Sequence, residues 1–289
     1  VVYFPKFFHP DPTVVRQSGF LKPELGSSNN LGSSIYMPYF LAVSDDKDLT
    51  IKPRVFGDNK FLLQNEYRQK TRNSFTIVDF SFLNGHDSSA QDTGGTRSHL
   101  FTNTLVDLSL DNFKKSMLQI DYQKTSNDNY LKLFDLQSSL LKDDYSVLES
   151  KIKFDLEHEK YDLTTSFEMY ETLNGSNNDR YQYVLPNYNF SKNFNLEAIS
   201  GSFNFNSYGN NTLNNTNVVA SSILNDLNYS ALNNYFDSGI KTNFEVSLKN
   251  VNSVGKNNNK YKNSPQSELM SAYTFNASLP LIKKDSNTI

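Results

Sequence analysis

The side chains of this chain that could perform catalysis or bind a metal show no recognisable arrangement. The four histidines, His9, His86, His99 and His158, lie far apart, and none has the spacing of metal ligands. The chain contains no cysteine, which excludes a thiolate nucleophile or thiolate metal site within it. It also lacks a Gly-x-Ser-x-Gly elbow and a glycine-rich phosphate loop. The residues therefore predict no enzyme, no metal site and no cofactor.

Acidic residues occur in small groups that have simpler explanations than chemistry. The run Asp45-Asp46-Lys47-Asp48 lacks the spaced ligands of a calcium loop and is interpreted as a solvated turn. The pairs at 143–144 and 157–159 are equally compatible with turns or with a polar channel lining. These carboxylates do not indicate acid–base catalysis.

Scattered basic residues leave one binding function open. Together with Ser, Asn and Tyr they could line a hydrated channel that passes a phosphorylated sugar head group. These residues are Arg54, Arg68, Lys70, Arg72, Arg97 and Lys124. Any barrel interior of mixed charge has the same composition, so both interpretations stay open. The formal net charge of −3 argues against a nucleic-acid partner.

Prolines stand inside strand-like runs near the start of the chain. Pro23, Pro38 and Pro53 each lie in an apolar run. Proline has no backbone N–H and removes a ladder hydrogen bond, so it is normally confined to edge strands, strand starts or bulges. The sequence predicts either that these runs are not strands or that this part of a sheet is weakly hydrogen-bonded.

The composition is aromatic and yet hydrophilic on average. The chain has 22 Phe and 17 Tyr but no Trp, and its mean hydropathy is −0.57. A transmembrane barrel produces this combination because lipid-facing and lumen-facing residues alternate along each strand. No apolar run approaches the roughly 20 residues that a spanning helix needs, which excludes a helical membrane protein.

Alternation with a period of two predicts strands through most of the chain. Apolar and polar residues alternate clearly at 49–55, 147–156, 161–170 and 240–249. About 13 or 14 strands are predicted, many about ten residues long, which is the length of a tilted membrane strand. Tight turns and long polar connections, such as 126–144 and 250–267, separate them. We expect an all-β fold, an antiparallel transmembrane β-barrel, with a short helix only within 131–141; a soluble β-sandwich is the alternative.

Ordered blocks in the first half of the chain resemble one family of outer-membrane proteins. The run His9-Pro10-Asp11-Pro12-Thr13, followed by Arg-Gln-Ser-Gly-Phe-Leu-Lys-Pro at 16–23, resembles the junction of soluble domain and barrel in the LPS-assembly, or organic solvent tolerance, family of LptD. Further blocks at 30–40, 48–53, 63–68, 97–101 and 121–130 resemble family segments in the same order. The resemblance is strong to about residue 135. Beyond it, the chain shares with the family only the alternation that is typical of strands. Gln17 replaces the family's usual second arginine, and the family's usual cysteines are missing from this chain.

The resemblance implies a domain arrangement and a fragment. Residues 1–15 would form the end of a periplasmic jelly-roll domain and its linker. Residues 16–289 would form the N-terminal part, roughly half, of a barrel of about 26 strands. The residues expected at the junction are His9, Pro10, Asp11, Pro12, Arg16, Ser18, Gly19 and Phe20.

The resemblance also implies a function. The protein would insert lipopolysaccharide into the outer leaflet of the Gram-negative outer membrane, with a plug lipoprotein similar to LptE, a periplasmic bridge protein similar to LptA and outer-membrane lipids as partners. Pro23 and Pro38 would weaken a lateral gate between the first and last strands, while saccharide passes through the hydrated lumen; Pro53 is assigned no role. A passive porin or receptor barrel is the alternative function.

Overall fold

The structure, a computed structural model, describes residues 16–28, 31–57, 60–84, 97–141, 146–174, 179–215 and 217–280. Seventeen β-strands and one short α-helix form within these ranges, so the prediction of an all-β, antiparallel fold is confirmed. No helix in the described ranges is long and apolar enough to cross a membrane. Four of the expected junction residues, His9, Pro10, Asp11 and Pro12, lie outside the described residues.

The strands from β5 onward, apart from the short β15, have 10 to 16 residues, which is enough to cross a bilayer at a tilt. In chain order the strands are β1 (Gly19–Phe20), β2 (Glu24–Ser28), β3 (Gly32–Tyr36), β4 (Tyr39–Ser44), β5 (Lys47–Phe56), β6 (Phe61–Lys70), β7 (Ser74–Asn84), β8 (Arg97–Asp107), β9 (Phe113–Thr125), β10 (Val147–His158), β11 (Tyr161–Thr172), β12 (Tyr181–Leu196), β13 (Ile199–Asn214), β14 (Val218–Ala231), β15 (Asn234–Tyr235), β16 (Lys241–Lys256) and β17 (Gln266–Ser278). The helix α1 (Tyr130–Leu133) lies between β9 and β10. The predicted long connection at 250–267 is shorter than expected, because β16 continues to Lys256.

The chain divides into two compact units. Unit 1 combines Val1–Val106 with Gln119–Ser150, and unit 2 combines Asp107–Leu118 with Lys151–Ile289. In unit 1, strands β5 to β8 pair in sequence order. In unit 2, strands β11 to β14 pair in sequence order, and β14 then pairs with β16, and β16 with β17. All of these pairings are antiparallel, as in a chain of hairpins.

The first two strands of unit 1 are interrupted. β1 pairs with β4 and β2 pairs with β3, so β1 and β2 together form one broken strand, and β3 and β4 form a second. Both halves of the second strand pair with the continuous β5. If each broken strand counts once and the two-residue β15 is left out, the seventeen described strands become fourteen, within the predicted number.

Unit 1 buries several polar side chains of its strands and exposes several apolar ones. Asp48 and Asp79 are 1% and 0% exposed, whereas Val55 and Phe80 are 51% and 36% exposed. In a soluble β-sandwich the apolar faces of the sheets pack together inside. In a transmembrane barrel the polar face points inward and the apolar face meets lipid. The sheet of unit 1 is therefore that of a transmembrane β-barrel fragment, and the sandwich alternative is wrong. We call its buried polar side the inward face.

Residues 126–141, here called the inner segment, pack on the inward face of unit 1. Tyr130, Leu131 and Phe134 are at most 1% exposed. The predicted helix at 131–141 is shorter than expected: α1 ends at Leu133, and Asp135 has a φ of 47°, a left-handed conformation that stops a helix. A connection that the sequence predicts to be polar thus contributes an apolar core.

Aromatic rings in unit 2 gather beside the short turns 159–160 and 197–198. The Tyr161 ring centroid lies 4.7 Å from the ring of His158 and 5.9 Å from that of Phe190. Phe194 and Phe203, on paired strands, stack with centroids 5.3 Å apart. Aromatic girdles mark the bilayer interface in transmembrane barrels, so this band suits strand ends at a membrane surface.

The exposed apolar face of unit 1 generates a stability prediction. The substitution Phe80→Lys in the full-length protein should reduce the free energy of unfolding by about 2–4 kcal/mol, because it places a charge on the lipid-facing side of a strand. Urea unfolding of the protein refolded in phospholipid vesicles measures this loss. Phe80→Leu is the matched control and should change stability far less. Equal stability of the two variants would contradict a lipid-facing position.

Candidate functional site

Three prolines lie at the same level of the first three strands of unit 1. Pro23 separates β1 from β2, Pro38 separates β3 from β4, and Pro53 lies within β5. Their neighbours are cross-strand partners, because Glu24 pairs with Tyr36, and Tyr36 pairs with Arg54. We call Pro23, Pro38 and Pro53 the proline row.

The proline row weakens two successive strand junctions. Within the described ranges, a single hydrogen bond joins Pro38 and Pro53 each to the residue opposite: Leu21 N donates to Pro38 O at 2.8 Å, and Met37 N donates to Pro53 O at 3.2 Å. The N–H and C=O of a residue in such an antiparallel pair point to the same neighbouring strand. The missing N–H of Pro38 therefore faces the first strand, and that of Pro53 faces the second.

The junction between β5 and β6 is intact beside the proline row. Its register runs without a break from Lys47, opposite Gln69, to Val55, opposite Phe61. Pro53 itself lies in this run, opposite Leu63, because its carbonyl and its missing N–H face the other side. The weakness is thus confined to the first two junctions.

Two of the described junction residues bind the start of the chain to the sheet. Arg16 forms an ion pair with Asp48 of β5, whose side chain is 2% exposed. Ser18 Oγ accepts a hydrogen bond of 2.9 Å from the Ala42 backbone N–H. Arg16 and Ser18 therefore lie against β5 and β4 of unit 1.

The other two described junction residues form β1. Gly19 pairs with Phe40, and Phe20 pairs with Tyr39. The Phe20 and Tyr39 rings meet edge to face with centroids 5.0 Å apart. This two-residue strand is the whole of the regular pairing that precedes Pro23 in the described residues.

Basic residues that the sequence suggests as channel lining form ion pairs on the inward face. Arg68 Nε lies 2.8 Å from Asp48 Oδ1 and 3.7 Å from Glu66 Oε1. Lys52 Nζ lies 3.0 Å from Glu66 Oε2. The positions of the suggested lining residues are as follows: Arg54 in β5, Arg68 and Lys70 in β6, Arg72 in the turn after β6, Arg97 in β8 and Lys124 in β9.

Four buried residues form a hydrogen-bonded cluster that we call the polar clasp: Asp79, Ser81, His99 and Tyr130. His99 Nδ1 lies 2.6 Å from Ser81 Oγ, and His99 Nε2 lies 3.2 Å from Asp79 Oδ1. Ser81 Oγ also lies 2.7 Å from the Tyr130 hydroxyl. All four residues are at most 3% exposed. Burial raises the pKa of Tyr130 to about 12, so its hydroxyl stays neutral and able to donate.

The polar clasp holds the inner segment and offers no place for a substrate. The order Asp–His–Ser is that of a hydrolase triad, but Ser81 is 2% exposed and its Oγ already contacts Tyr130. Gln64 strengthens the attachment, since its Nε2 lies 3.0 Å from Asp79 Oδ1 and donates to Gln137 O at 2.9 Å. The clasp therefore positions the inner segment.

The sequence contained only a weak signal for the polar clasp. Alternation places Asp79 and Ser81 on one face of β7, but only the strand register brings His99 opposite Ser81. Within the described ranges, no group of three His, Asp or Glu side chains could hold a metal ion.

A polar cavity of about 280 Å³ lies on the inward face beside the proline row. Residues that flank the prolines line one side, among them Glu24, Tyr36 and Arg54. Asp135 and Gln137 of the inner segment line the other side. Weak strand junctions and a ligand-sized cavity thus occupy the same part of unit 1.

Sequence comparison finds curated relatives of the chain that all have the same name. The LPS-assembly protein LptD of Pseudomonas aeruginosa is 33% identical over 87 residues, that of Nitrosococcus oceani 27% over 170 and that of Pseudoalteromonas atlantica 28% over 132. The chain is similar to part of LptD. These matches cover 30%, 56% and 45% of this chain but only 9%, 20% and 16% of the relatives. No protein-family model matches the LptD-like chain.

The position of Pro53 generates a prediction about hydrogen exchange. In the full-length protein, Pro53→Val should restore a donor toward the second strand and stabilise this junction by about 0.5–1.5 kcal/mol. Amide exchange in peptides that cover residues 32–44 should become slower. Pro265→Val, in the connection before β17, is the control and should leave this exchange unchanged. Unchanged exchange in Pro53→Val would show that the missing donor does not weaken the junction.

The polar clasp generates a second prediction. His99→Phe should destabilise the full-length protein by about 3 kcal/mol, because it leaves the buried Asp79 carboxylate without its imidazole partner. Urea unfolding measures the loss, and limited proteolysis should show faster cleavage within 126–141. The double variant Asp79→Asn/His99→Phe should recover part of the stability. A single variant as stable as the double would mean that Asp79 does not depend on His99.

Proposed function

We propose that this chain is the N-terminal part of a barrel that inserts lipopolysaccharide into the outer leaflet of the Gram-negative outer membrane. The observation that carries the proposal is the proline row at the first strands of an LptD-like sheet. Residues 1–15 would end a periplasmic domain, and residues 16–289 would belong to the barrel. The paired Arg16 and Ser18 suit the point at which the chain enters the sheet.

The proline row lowers the cost of a lateral opening. Parting two strands inside a bilayer leaves N–H and C=O groups without partners, and each such group costs several kcal/mol in hydrocarbon. Pro23 has no N–H to leave unsatisfied, Pro38 lacks the N–H that would hold the first strand to the second, and both strands are already broken beside these prolines. A gate between the first and last strands would thus begin in the part of the sheet with the fewest hydrogen bonds to lose.

The two faces of the sheet suit the two parts of a lipopolysaccharide molecule. The inward face carries buried ion pairs such as Lys52 with Glu66 and offers polar contacts to a saccharide. The outer face exposes apolar side chains such as Phe80 and Val55, as a surface next to acyl chains does. Saccharide would pass inside while the acyl chains leave through the gate into outer-membrane lipid.

The proposed partners follow from these separate paths of the saccharide and the acyl chains. A plug lipoprotein similar to LptE would occupy the lumen, and a periplasmic bridge protein similar to LptA would deliver lipopolysaccharide to the domain that precedes residue 16. The transfer moves a lipid between environments and changes no covalent bond, so the protein acts as a transporter component without a cofactor and not as an enzyme.

Replacement of Pro23 and Pro38 tests the gate. The double variant Pro23→Val/Pro38→Val in the full-length protein should fold and reach the membrane, but deliver several-fold less lipopolysaccharide to the cell surface, because the first strands then pair more tightly. Surface labelling of lipopolysaccharide against total lipopolysaccharide measures delivery. Pro265→Val is the control. Normal delivery in the double variant would overturn the gate, and solute flux through the purified barrel without a partner would favour a passive porin.

A further inference from the structure

The cavity beside the proline row contains a row of polar side chains across three strands. Glu24 of β2 pairs with Tyr36 of β3, and Tyr36 pairs with Arg54 of β5, so the three side chains share the inward face. Asp135 and Gln137 of the inner segment complete the wall. The volume of about 280 Å³ is close to the lower limit of small-molecule sites, about 300 Å³, and suits a sugar-sized group.

The cations at this cavity already have partners. Arg54 Nη1 donates to Phe134 O at 2.9 Å, and Arg54 Nε donates to Ser34 Oγ at 3.2 Å. Lys52 Nζ forms its ion pair with Glu66 at 3.0 Å. The charge of Lys52 is thus balanced by Glu66, and two of the five N–H donors of Arg54 hold its guanidinium in the wall.

Two of the acceptors at the same cavity belong to exposed residues, Glu24 and Asp135. Within the described ranges, no hydrogen bond or ion pair engages the carboxylates of Glu24 and Asp135 or the hydroxyl of Tyr36. Two carboxylates disfavour a phosphate through like-charge repulsion. They accept strong hydrogen bonds from hydroxyl groups, and the Tyr36 ring adds an apolar surface with a polar end. This set of groups favours a neutral ligand rich in hydroxyls.

A glycine keeps the cavity wall in this arrangement. A Cβ atom at Gly26 would lie 2.9 Å from Ser34 Oγ and 3.0 Å from Arg54 Nη2. A side chain at this position would thus require the Ser34 hydroxyl or the Arg54 guanidinium to shift. The bare backbone of Gly26 lets Arg54 occupy the wall while Glu24, two residues earlier on the same face, remains available.

We propose that this cavity is a binding site for a neutral, hydroxyl-rich saccharide unit. Glu24 and Asp135 accept hydrogen bonds from its hydroxyl groups, Tyr36 contacts a ring face, and Arg54 holds the wall. The source of the sugar, the saccharide part of lipopolysaccharide, rests on the proposed function; the chemistry of the site does not. A saccharide in this site would lie directly beside the proline row.

A thiol reporter in the cavity tests the binding. In the full-length protein, Gln137→Cys introduces a thiol at the wall, and mass spectrometry of the peptide that contains residue 137 measures its rate of alkylation by a water-soluble maleimide. An uncharged oligosaccharide of hexose units should slow this rate at least fivefold at saturation. Inorganic phosphate should not change it. A second reporter, Lys160→Cys in the turn after β10, controls for general effects and should show no protection.

Conservative variants of the two carboxylates complete the test. Glu24→Gln and Asp135→Asn, each combined with the Gln137→Cys reporter, should raise the oligosaccharide concentration for half-protection about tenfold, the effect of losing one charge-assisted hydrogen bond. Asn also tolerates the left-handed backbone of residue 135, so folding is preserved. Asp162→Asn in β11 is the matched control and should leave the protection unchanged.

Three results would overturn the proposal. They are protection by inorganic phosphate equal to that by oligosaccharide, protection by intact lipopolysaccharide alone, and an equal loss in Asp162→Asn. The outcome is separable from the proposed function. Protection together with normal delivery in Pro23→Val/Pro38→Val would leave the sugar site and remove the gate, whereas lost delivery without protection would leave the gate and remove the sugar site.

Discussion

The supply of backbone hydrogen bonds between neighbouring strands is the constraint on which this structure depends. In a bilayer, a strand can satisfy its N–H and C=O groups only through the strands beside it. Most of the described sheet meets this demand with long, continuous registers, such as that between β13 and β14. The proline row interrupts this hydrogen bonding at two successive junctions, because Pro38 and Pro53 each lack one backbone donor. Weakness in the sheet is therefore local and lies at the first strands.

A second consequence of that register is the chemistry of the inward face. Antiparallel pairing aligns polar residues of β5 to β8 into rows, so that Ser81 meets His99 and Lys52 meets Gln64. These rows bind the inner segment through the polar clasp and through Arg54. The segment in turn completes the cavity beside the proline row. The weak junctions, the attachment of the inner segment and the cavity thus all depend on the same strand register.

Much of the architecture was predictable because side chains in a strand point to the same face at every second residue. Alternation in runs such as 48–56 indicated the strands, and the three prolines indicated where pairing would fail. The inner segment was not predictable: its apolar residues have no strand or helix period, and only packing against the sheet gives them a core. Pro53 had no expected role because its effect depends on which neighbour its missing N–H faces. His99 had none because its hydrogen-bond partners, Asp79 and Ser81, come from another strand.

The amino-acid sequence by itself determined the fold class, the approximate number of strands, the resemblance to LptD and the position of the prolines. These properties depend on residues that are close together in the sequence, so they can be recognised without the tertiary structure. Only the tertiary structure decided which face is buried, how β1 to β4 divide around the prolines, and which polar groups meet in the clasp and the cavity. Those properties depend on register, since a shift of one residue moves every side chain to the opposite face.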